Sequence, residues 1–493
     1  MSTTQPISAR LVATPASAIH TLMRWLVVVI IAPVLLGIAA EWSIDHLVRA
    51  RWLDGLFAGV GLGTYNSRVV AIGVMLLGAV GGAVGSFLLL RKRSLMGDAV
   101  SHATLPGIGI AFMVMAFAGG SGKSLVGLLI GAAISGVLGM GLVLTIRHVS
   151  RIKEDAALGI VLSVFFGLGV AVLGLVQTMK QGSAAGLESF IYGKTASMLL
   201  IDAKVIAISA VVVGFWSVAL FKEFELLCFD QEFAASQGWP VIAIDVVMMG
   251  LVVAVTVIGL QAVGLILVIA LLIIPPAAAR FWTDHLPRMM IASIVIGALS
   301  GLLGAWASAS FSDLPAGAVV VMAAGFFFLI SFVFGPARGV VGRVVRSVSL
   351  KRRIGHQHVM RALFELGSSE VSGNRRGAMF AELVAERSWS AGALRRLLKR
   401  EEGAGHVRRV GADRWWLTER GLAEARRVVR NHRLWELYLI THADIAPSHV
   451  DRDADEVEHV LGAEMVDRLE ALLRSEAEPL AVPASPHRIG GDG

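Results

Sequence analysis

The sequence predicts an all-α polytopic membrane bundle of about ten spans, followed by a cytoplasmic, mostly α-helical winged-helix domain. Three observations predict this fold class. Hydrophobic residues make up 55% of the 493-residue chain, and the mean hydropathy of +0.71 is far above that of soluble proteins. The first two thirds of the chain repeat apolar runs of about 20 residues, the length that crosses a bilayer. After Arg338 the composition changes abruptly to Arg, Glu and Asp.

The apolar runs set the predicted spans, and the charges between them set the orientation. The spans are expected at 24–41, 69–90, 99–118, 124–146, 156–178, 203–221, 241–258, 262–279, 287–309 and 315–335. The seventh and eighth are short and adjacent, as in a re-entrant pair. Basic residues favour cytoplasmic loops, and four basic groups fall on one side when the spans alternate: 91–93, 147–153, 280–288 and 338–346. Both termini are therefore predicted in the cytoplasm.

These patterns divide the chain into four parts. They are a cytoplasmic N-terminal segment at 1–23, a transmembrane domain at 24–340, a soluble domain at 351–475 and a disordered tail at 476–493. The only cysteine, Cys228, excludes an internal disulfide and a Cys-type zinc site. Gly122-Lys123-Ser124 is similar to the end of a phosphate-binding loop, but Phe117 stands where that motif needs its first glycine. No nucleotide site is therefore predicted in this chain.

The stretch Ser94–Gly109 contains an aspartate and a histidine, Asp98 and His102, inside an apolar segment. Their spacing of four residues places both on one face of a helix. A carboxylate and an imidazole suit a borderline divalent cation such as Mn, Fe or Zn. Ionisable groups at membrane depth are costly, so their presence indicates a functional site. Pro106 follows one turn later and predicts a kinked or discontinuous helix. In the alternative interpretation, Asp98 only caps the helix and His102 hydrogen-bonds between helices.

Two other membrane segments carry functional predictions. Pro275-Pro276 interrupts the backbone hydrogen bonds of an apolar run, which predicts either a gate near a pore or a purely structural kink. The segment 221–241 is polar enough to leave the bilayer and predicts a short helix, with Asp230 and Glu232 in it. Gly238 is expected to end that helix and Pro240 to begin the next span. The alternative is an ordinary interfacial loop.

The soluble part predicts a winged helix. Helices are expected near 355–366, 376–387 and 390–400, and a two-stranded wing over 406–418, where the residues alternate around a glycine turn. Thr418 is expected to cap another helix that runs from 419 to about 440. The third helix carries Arg395, Arg396 and Lys399, which could face DNA. A cluster of this kind is more often a solvated face, or a contact with anionic lipid or a partner protein.

Two further helical stretches carry candidate metal ligands. His432 and Glu436 are spaced i, i+4, while Asp455, Glu458 and His459 share one helical face. Together they could bind a divalent cation through nitrogen and oxygen. The alternative is that they form surface ion pairs.

The membrane part resembles the permease subunits of bacterial ABC importers for manganese, zinc and iron, over roughly residues 60–335. Three segments carry the resemblance: Arg91–Ile108, Leu271–Arg280 and Phe229–Val241. It implies that Asp98 and His102 form a metal site in the translocation path and that the segment around Asp230 docks on an ATPase. It also implies an ABC ATPase subunit, an extracytoplasmic metal-binding protein, a second permease copy or paralogue, and residence in the bacterial inner membrane.

The soluble part resembles the iron- and manganese-dependent repressor family over roughly residues 355–475. The matching pieces are L-T-E-R-G, N-H-R-L-W-E and D-E-V-E-H-V. By motif position, the five candidate ligands His432, Glu436, Asp455, Glu458 and His459 fall on family metal ligands. The chain departs from the family at His358 and Arg361, where Met or acidic ligands are usual, and an arginine does not ligate a metal.

Together these patterns predict a permease for divalent transition metal with a fused cytoplasmic metal-sensing domain. ATP hydrolysis is expected on a separate subunit, so the chain itself is not predicted to be an enzyme. No tightly bound cofactor is expected, and Mn, Zn or Fe would be substrate and regulatory ligand. Manganese is favoured because the soluble part has no cysteine ligand. The alternatives are a membrane-tethered metal-responsive transcription regulator, an ion-coupled transporter and an importer of another substrate.

Overall fold

A computed structural model of the chain describes residues 32–49, 64–93, 95–119, 124–179, 193, 195–311, 314–368, 377–386, 389–411 and 413–442. The predicted segment 1–23, the tail 476–493 and the candidate ligands Asp455, Glu458 and His459 lie outside these ranges. The chain divides into two compact units, Met1–Gly342 and Arg343–Gly493. This division lies close to the point at which the composition of the sequence changes.

The first unit is a bundle of α-helices. They are α1 (Ala32–Arg49), α2 (Tyr65–Leu90), α3 (Met96–Phe117), α4 (Leu125–Val149), α5 (Glu154–Thr178), α6 (Leu200–Ala219), α7 (Phe221–Phe229), α8 (Gln231–Ser236), α9 (Val241–Val263), α10 (Leu265–Ala279), α11 (Leu286–Ser310) and α12 (Ala316–Phe334). Among the described helices, eight are long and apolar enough to cross a membrane: α2–α6, α9, α11 and α12. The predicted membrane bundle is confirmed, whereas the predicted count of about ten spans is not.

Two helices extend well past their predicted ends, and polar side chains near both of those ends pair with α6. The first span was expected to end at 41, but α1 continues to Arg49, and Lys204 of α6 lies 3.4 Å from Glu41 and 3.0 Å from Asp45. The seventh was expected to end at 258, but Gln261 donates to Asp202 at 2.8 Å. Helix α9 runs for 23 residues. The prediction that the seventh and eighth spans are both short is therefore wrong for the seventh, which is α9.

Glycines allow the helices to pack closely. Helix α2 is the most enclosed of the eight candidate spans and packs along α11, while α3 packs along α4 and α5. A Cβ atom added to Gly107 of α3 would collide with the carbonyl oxygen of Gly131 in α4. Backbones of membrane helices approach this closely only where both residues are small. The outward face of α4 is apolar and exposed, as expected for contact with lipid: Ile130, Ile134, Val137 and Leu138.

The second unit has the predicted winged-helix order. Its elements are α13 (Val340–Ser368), β1 (Ala378–Met379), α14 (Phe380–Glu386), α15 (Ala391–Gly403), β2 (Val407–Val410), β3 (Arg414–Leu417) and α16 (Glu419–His442). Strands β2 and β3 pair antiparallel as the wing, with Val407 opposite Leu417. The two-residue strand β1 was not predicted and adds to the free edge of β3, giving the order β1-β3-β2. Helix α13 begins at Val340 rather than near 355.

Local sequence explains where these elements begin and how they pack. The Thr418 hydroxyl accepts a hydrogen bond from the Gly421 amide at 3.0 Å, so Thr418 caps α16 as predicted. Ser390 caps α15 in the same way through the Ala393 amide. One apolar core joins the helices to the wing: Val359, Met360, Leu363, Leu383, Leu394, Leu398, Val407 and Trp415. The fold places the C-terminal end of α15 beside the start of the wing.

Candidate metal sites and coupling segment

Asp98 and His102 lie together in the first two turns of α3. The His102 Nε2 atom is 3.3 Å from Asp98 Oδ1, and the two side chains are 18% and 30% exposed. The His102 ring packs edge-on against Phe166 of α5, with ring centres 4.8 Å apart. His102 lies six residues beyond Met96, which is about 9 Å along the helix axis. The pair therefore lies in the N-terminal half of α3, with Asp98 near the start of the helix and His102 nearer to its middle.

The surroundings of this pair do not match the capping alternative. The N-cap of α3 is Leu95, which makes no side-chain cap bond, and Asp98 is inside the first turn. The His102 Nδ1 atom is buried, and no group in the described ranges forms a hydrogen bond with it. A buried imidazole nitrogen without a partner is costly in a protein. His102 thus presents Nε2 to Asp98, while its buried Nδ1 has no partner among the described residues.

Pro106 does not break α3. The helix is continuous from Met96 to Phe117 with Pro106 buried inside it, so a discontinuity here is wrong, whereas a kink at Pro106 stays a prediction. Pro106 leaves the His102 carbonyl without its usual intrahelical donor, and two other carbonyls near it accept from side-chain hydroxyls. The Ser135 hydroxyl of α4 donates to the Ala103 carbonyl at 2.6 Å, and Thr104 donates to the Ser101 carbonyl at 2.7 Å.

Pro275 and Pro276 are also buried inside a continuous helix, α10. Lacking N–H groups, they leave the carbonyls of Leu271 and Leu272 without their usual partners. Both carbonyls face glycines of α2. A Cβ atom at Gly85 would collide with the Leu272 oxygen, and one at Gly81 would lie 3.2 Å from the Leu271 oxygen. The proline pair therefore marks the place where α10 packs most closely on the enclosed helix α2.

A buried ion cluster joins three parts of the membrane unit, and the sequence analysis missed it. Asp245, in the first turns of α9, accepts from Arg93 at 2.6 Å, Arg91 at 3.3 Å and Arg147 at 3.5 Å. Glu154 pairs with Arg93 and lies 3.6 Å from Arg147. The signal was present, since Asp245 is the only charged residue in the apolar segment of α9, and a charge there indicates a partner.

The polar segment between α6 and α9 forms two short helices, α7 and α8. Asp230 caps α8, because its Oδ1 accepts from the Phe233 amide at 2.8 Å. Gly238 follows α8 with a positive φ of 81°, and Pro240 precedes α9, as the sequence predicts. Glu232 is in the first turn of α8. Arg91 reaches this segment by donating to the Leu227 carbonyl at 2.8 Å and to Gln231 at 3.2 Å.

The sequence profile of the ABC 3 transport family matches residues 65–335, which include all of these features. The chain belongs to the ABC 3 transport family. Among its relatives is the manganese transport system membrane protein MntC of Bacillus subtilis, 35% identical over 83% of this chain and 92% of MntC. The zinc transport system membrane protein TroC of Treponema pallidum is 41% identical over 57% of this chain and 93% of TroC. The predicted resemblance of the membrane part is confirmed.

A solved structure also matches this ABC 3 family member. PsaBC from Streptococcus pneumoniae in complex with Fab is 32% identical, covers 58% of this chain and 96% of the matched PsaBC chain, and has a TM-score of 0.50. In the second unit, the profile of the iron dependent repressor, metal binding and dimerisation domain matches residues 418–478. This match confirms the predicted resemblance of the soluble part.

Of the repressor-like ligand set, the structure describes the side chain of His432 alone, and it pairs with Arg361. This side chain is fully buried, and its Nδ1 atom lies 3.2 Å from Arg361 Nη1. Since a guanidinium has only donors, Nδ1 accepts from it in this arrangement, and metal binding by the five candidate ligands stays a prediction. Arg361 also donates to Glu365 at 2.9 Å. Glu436 lies in α16, but the structure does not describe its side chain. Asp455, Glu458 and His459 lie beyond the last described residue.

The candidate DNA contacts lie on one exposed face of α15. Arg395, Arg396 and Lys399 are all exposed, while Leu394 and Leu398 face the core. The Arg395 guanidinium lies 5.3 Å from the ring centre of Phe380. This geometry is that of an accessible basic helix face, and DNA, lipid phosphate and acidic protein surfaces could each contact it.

Proposed function

We propose that this ABC 3 family member is the transmembrane permease subunit of an ATP-driven importer of divalent transition metal, manganese first and then zinc or iron. The observation that carries the proposal is the pair in α3. Asp98 Oδ1 and His102 Nε2 lie 3.3 Å apart, and the buried His102 Nδ1 has no partner among the described residues. Carboxylate oxygen with imidazole nitrogen is a ligand combination for borderline metals. The similarity to a manganese and a zinc transport system membrane protein supports the same substrate class.

A pair of protein ligands is suited to transit rather than storage. A translocation site must bind an ion well enough to admit it and weakly enough to release it. Asp98 supplies the negative charge that offsets part of the charge of a divalent ion, and neutral His102 supplies a nitrogen ligand. Their partial exposure leaves room for water to complete the coordination shell. Sites with three or four protein ligands hold metals far more tightly.

We propose that an ABC ATPase contacts α7 and α8 and that ATP hydrolysis is coupled to transport through this contact. Three aromatic side chains are exposed on this segment: Phe229 at 64%, Phe233 at 50% and Trp239 at 45%. Exposed aromatic residues are typical anchors of protein interfaces. Arg91 connects the segment with the loop that precedes α3. Movement of α7 and α8 can therefore reach Asp98 and His102 through this connection.

The remaining partners follow from this role. An extracytoplasmic metal-binding protein would deliver the ion, and a second permease copy or paralogue would complete the path in the lipid of a bacterial inner membrane. The basic residues Arg91, Arg93 and Arg147 lie at the same end as α7 and α8. The preference of basic residues for the cytoplasm supports a cytoplasmic ATPase contact and cytoplasmic termini. ATP hydrolysis would occur on the partner, and no resident cofactor is needed in this chain.

We infer that the second unit senses metal and reduces uptake when metal is plentiful. Its similarity to the metal binding and dimerisation domain of the iron dependent repressor supports this role. A second candidate is a membrane-tethered, metal-responsive transcription regulator, which the exposed Arg395, Arg396 and Lys399 favour. Sequence-specific operator binding by the chain in membranes would support that candidate. Its absence, together with uptake that no longer shuts down when the second unit is deleted, would support the sensor.

The test of the transport proposal is uptake of radiolabelled manganese, zinc and iron in separate cell assays, with the partner ATPase and binding protein present. Asp98→Asn preserves shape and removes the charge. We expect it to lower uptake of the transported metal by at least about tenfold, a loss of about 1.4 kcal/mol. Asp284→Asn, on an exposed residue of the same unit, is the matched control and should transport normally. Equal uptake by Asp98→Asn and wild type would overturn the assignment of Asp98.

A further inference from the structure

Two histidines surround one buried carboxylate in the second unit. Glu401 is 2% exposed, and its Oε2 atom lies 2.8 Å from His356 Nδ1 and 2.9 Å from His406 Nδ1. The three ligand atoms all lie within 4.8 Å of one another. They come from α13, from α15 and from the residue before β2, so no local sequence motif joins them. None of the three is among the ligands that the repressor resemblance implies.

The backbone around His406 is fixed before any ligand binds. The His406 amide donates to the Glu401 carbonyl at 3.0 Å, and the His406 carbonyl accepts from the Thr418 amide at 3.0 Å. Gly405, with a φ of 76°, supplies the left-handed turn that brings the ring back over the end of α15. Preorganised ligands of this kind bind metal without an ordering cost.

The chemistry of the cluster is that of a three-ligand metal site. Two imidazole nitrogens and a carboxylate form the His₂Glu set of many zinc sites, which leave a further position open for water. In a tetrahedral site with bonds of about 2.0–2.1 Å, neighbouring ligand atoms lie about 3.3 Å apart. The observed separations of 2.8 and 2.9 Å are hydrogen-bond distances, so binding of an ion would move the ligand atoms apart by about 0.5 Å. Side-chain exposures of 19% for His356 and 17% for His406 provide access for the ion.

A second carboxylate supports the arrangement. Glu424 Oε1 lies 3.5 Å from His356 Nε2, on the opposite side of the ring from Glu401. A carboxylate behind a metal-bound histidine orients the ring and selects the tautomer that leaves the other nitrogen free to bind metal. Arg427 donates to Glu424 at 2.6 Å and holds it in place. The cluster therefore has supporting contacts as well as ligands.

The electrostatics favour positive charge at this position. The hydrogen bond to Glu401 raises the pKa of His356 more than burial lowers it. Burial raises the pKa of Glu401, but hydrogen bonds from His356 and His406 outweigh it and leave that pKa below its ordinary value. In the absence of metal, protons supply the positive charge, and a divalent ion would displace the protons from the two Nδ1 atoms.

We propose that His356, Glu401 and His406 bind a divalent transition-metal ion, with zinc as the best-fitting ion and Glu424 as the positioning residue behind His356. Such an ion would tie α13 to the C-terminal end of α15 and to the first strand of the wing. Metal occupancy would thus change the rigidity of the face that carries Arg395, Arg396 and Lys399. The proposal does not depend on metal transport by the membrane unit, and loss of either would leave the other intact.

The test is zinc binding by the purified full-length chain, measured as zinc per chain after dialysis against a fixed zinc concentration. Glu401→Gln keeps the size of the side chain and removes its charge. It is expected to lower the stoichiometry by about one ion per chain. Glu402→Gln, on the exposed neighbouring residue, is the matched control and should bind as much zinc as wild type. Equal stoichiometry in Glu401→Gln and wild type would overturn the proposal.

A second measurement uses the wild-type chain, so it tests the proposal even if Glu401→Gln does not fold. Hydrogen–deuterium exchange at the C2 position of each histidine, followed by mass spectrometry, reports on every imidazole separately. Added zinc is expected to slow exchange at His356 and His406 by more than about tenfold, and to leave the exposed His285 of the membrane unit unchanged. Exchange at His356 and His406 that is the same with and without zinc would show that no metal binds there.

Discussion

The Oδ1 oxygen of Asp245 lies 2.6 Å from Nη1 of Arg93, and the two side chains are only 6% and 3% exposed. The same carboxylate accepts hydrogen bonds from Arg91 and Arg147. Arg91 also donates hydrogen bonds to the segment of α7 and α8. One buried aspartate therefore connects α9, the end of α4 and the loop that leads into α3. This cluster links the proposed ATPase contact to the helix that carries Asp98 and His102.

Replacing Asp245 tests how much that cluster contributes to the stability of the membrane unit. Asp245→Asn leaves three guanidinium groups with one carboxylate fewer in a nearly buried setting. Loss of one partner of a buried ion pair typically costs about 3–5 kcal/mol, so we expect a clearly lower melting temperature in detergent. Asp284→Asn, in a pair with Arg338 whose side chains are 59% and 46% exposed, should change stability by less than about 1 kcal/mol. A melting temperature for Asp245→Asn equal to that of the control would contradict the account.

Close packing beside the metal pair gives a second prediction. Gly107→Ala places a methyl group against the Gly131 carbonyl and forces α3 and α4 apart one turn beyond His102. Overpacking of this kind costs about 1–3 kcal/mol, and we expect both stability and metal uptake to fall. Gly141→Ala, in α4 where a Cβ atom meets nothing within 4 Å, is the control. If the two alanine variants melt and transport alike, the close approach of α3 and α4 is not required.

The aromatic residues of the polar segment give a third prediction. Phe233→Ser removes an exposed ring from α8 and should leave folding unchanged, because half of that side chain faces outward. We expect weaker co-purification of the ATPase and lower ATP-dependent uptake. Phe311→Ser, on an exposed residue after α11, is the control and should keep both. Normal ATPase binding by Phe233→Ser would rule out α8 as its main contact.

The His356–Glu401 pair predicts a pH dependence in the metal-free chain. The raised pKa of His356 means that its contribution to stability is complete at pH values below the ordinary imidazole pKa of about 6.5. That contribution is lost as the pH rises through the higher pKa of the folded state. The lowered pKa of Glu401 acts in the opposite sense, and its contribution is lost under acidic conditions.

Histidine C2 exchange as a function of pH measures this titration directly. The midpoint for His356 should lie above that of a free imidazole and should fall towards it in Glu401→Gln, because the acceptor that stabilises the imidazolium has lost its charge. Glu402→Gln should keep the wild-type midpoint. A His356 midpoint at or below the ordinary value in the metal-free wild type would show that Glu401 does not hold its proton.

Local patterns predicted much of this molecule. The i, i+4 spacing of Asp98 and His102 was enough to bring them to one face of α3, and the alternation around Gly411 was enough to predict the wing. What failed depends on tertiary contacts. Gln261, beyond the predicted end of α9, donates to Asp202 of α6, and Ser135 of α4 donates to the Ala103 carbonyl three residues before Pro106.

The clusters of side chains were harder to predict for the same reason. Arg93 and Asp245 are far apart in sequence, and so is His356 from Glu401 and His406. Their members meet only after helices from different parts of the chain have packed. A single charged residue in an apolar helix, such as Asp245, is a signal that sequence analysis can use, but it does not identify the partner.

The most direct test of the central claim is ATP-dependent accumulation of radiolabelled manganese in proteoliposomes that contain this chain, its ATPase and the binding protein. Wild type should accumulate manganese only when ATP is supplied. His102→Ala should reduce accumulation by at least about tenfold, while His285→Ala, on an exposed histidine of the same unit, should match wild type. Accumulation by His102→Ala equal to that of wild type, or accumulation that does not need ATP, would contradict the proposed path and its energy source.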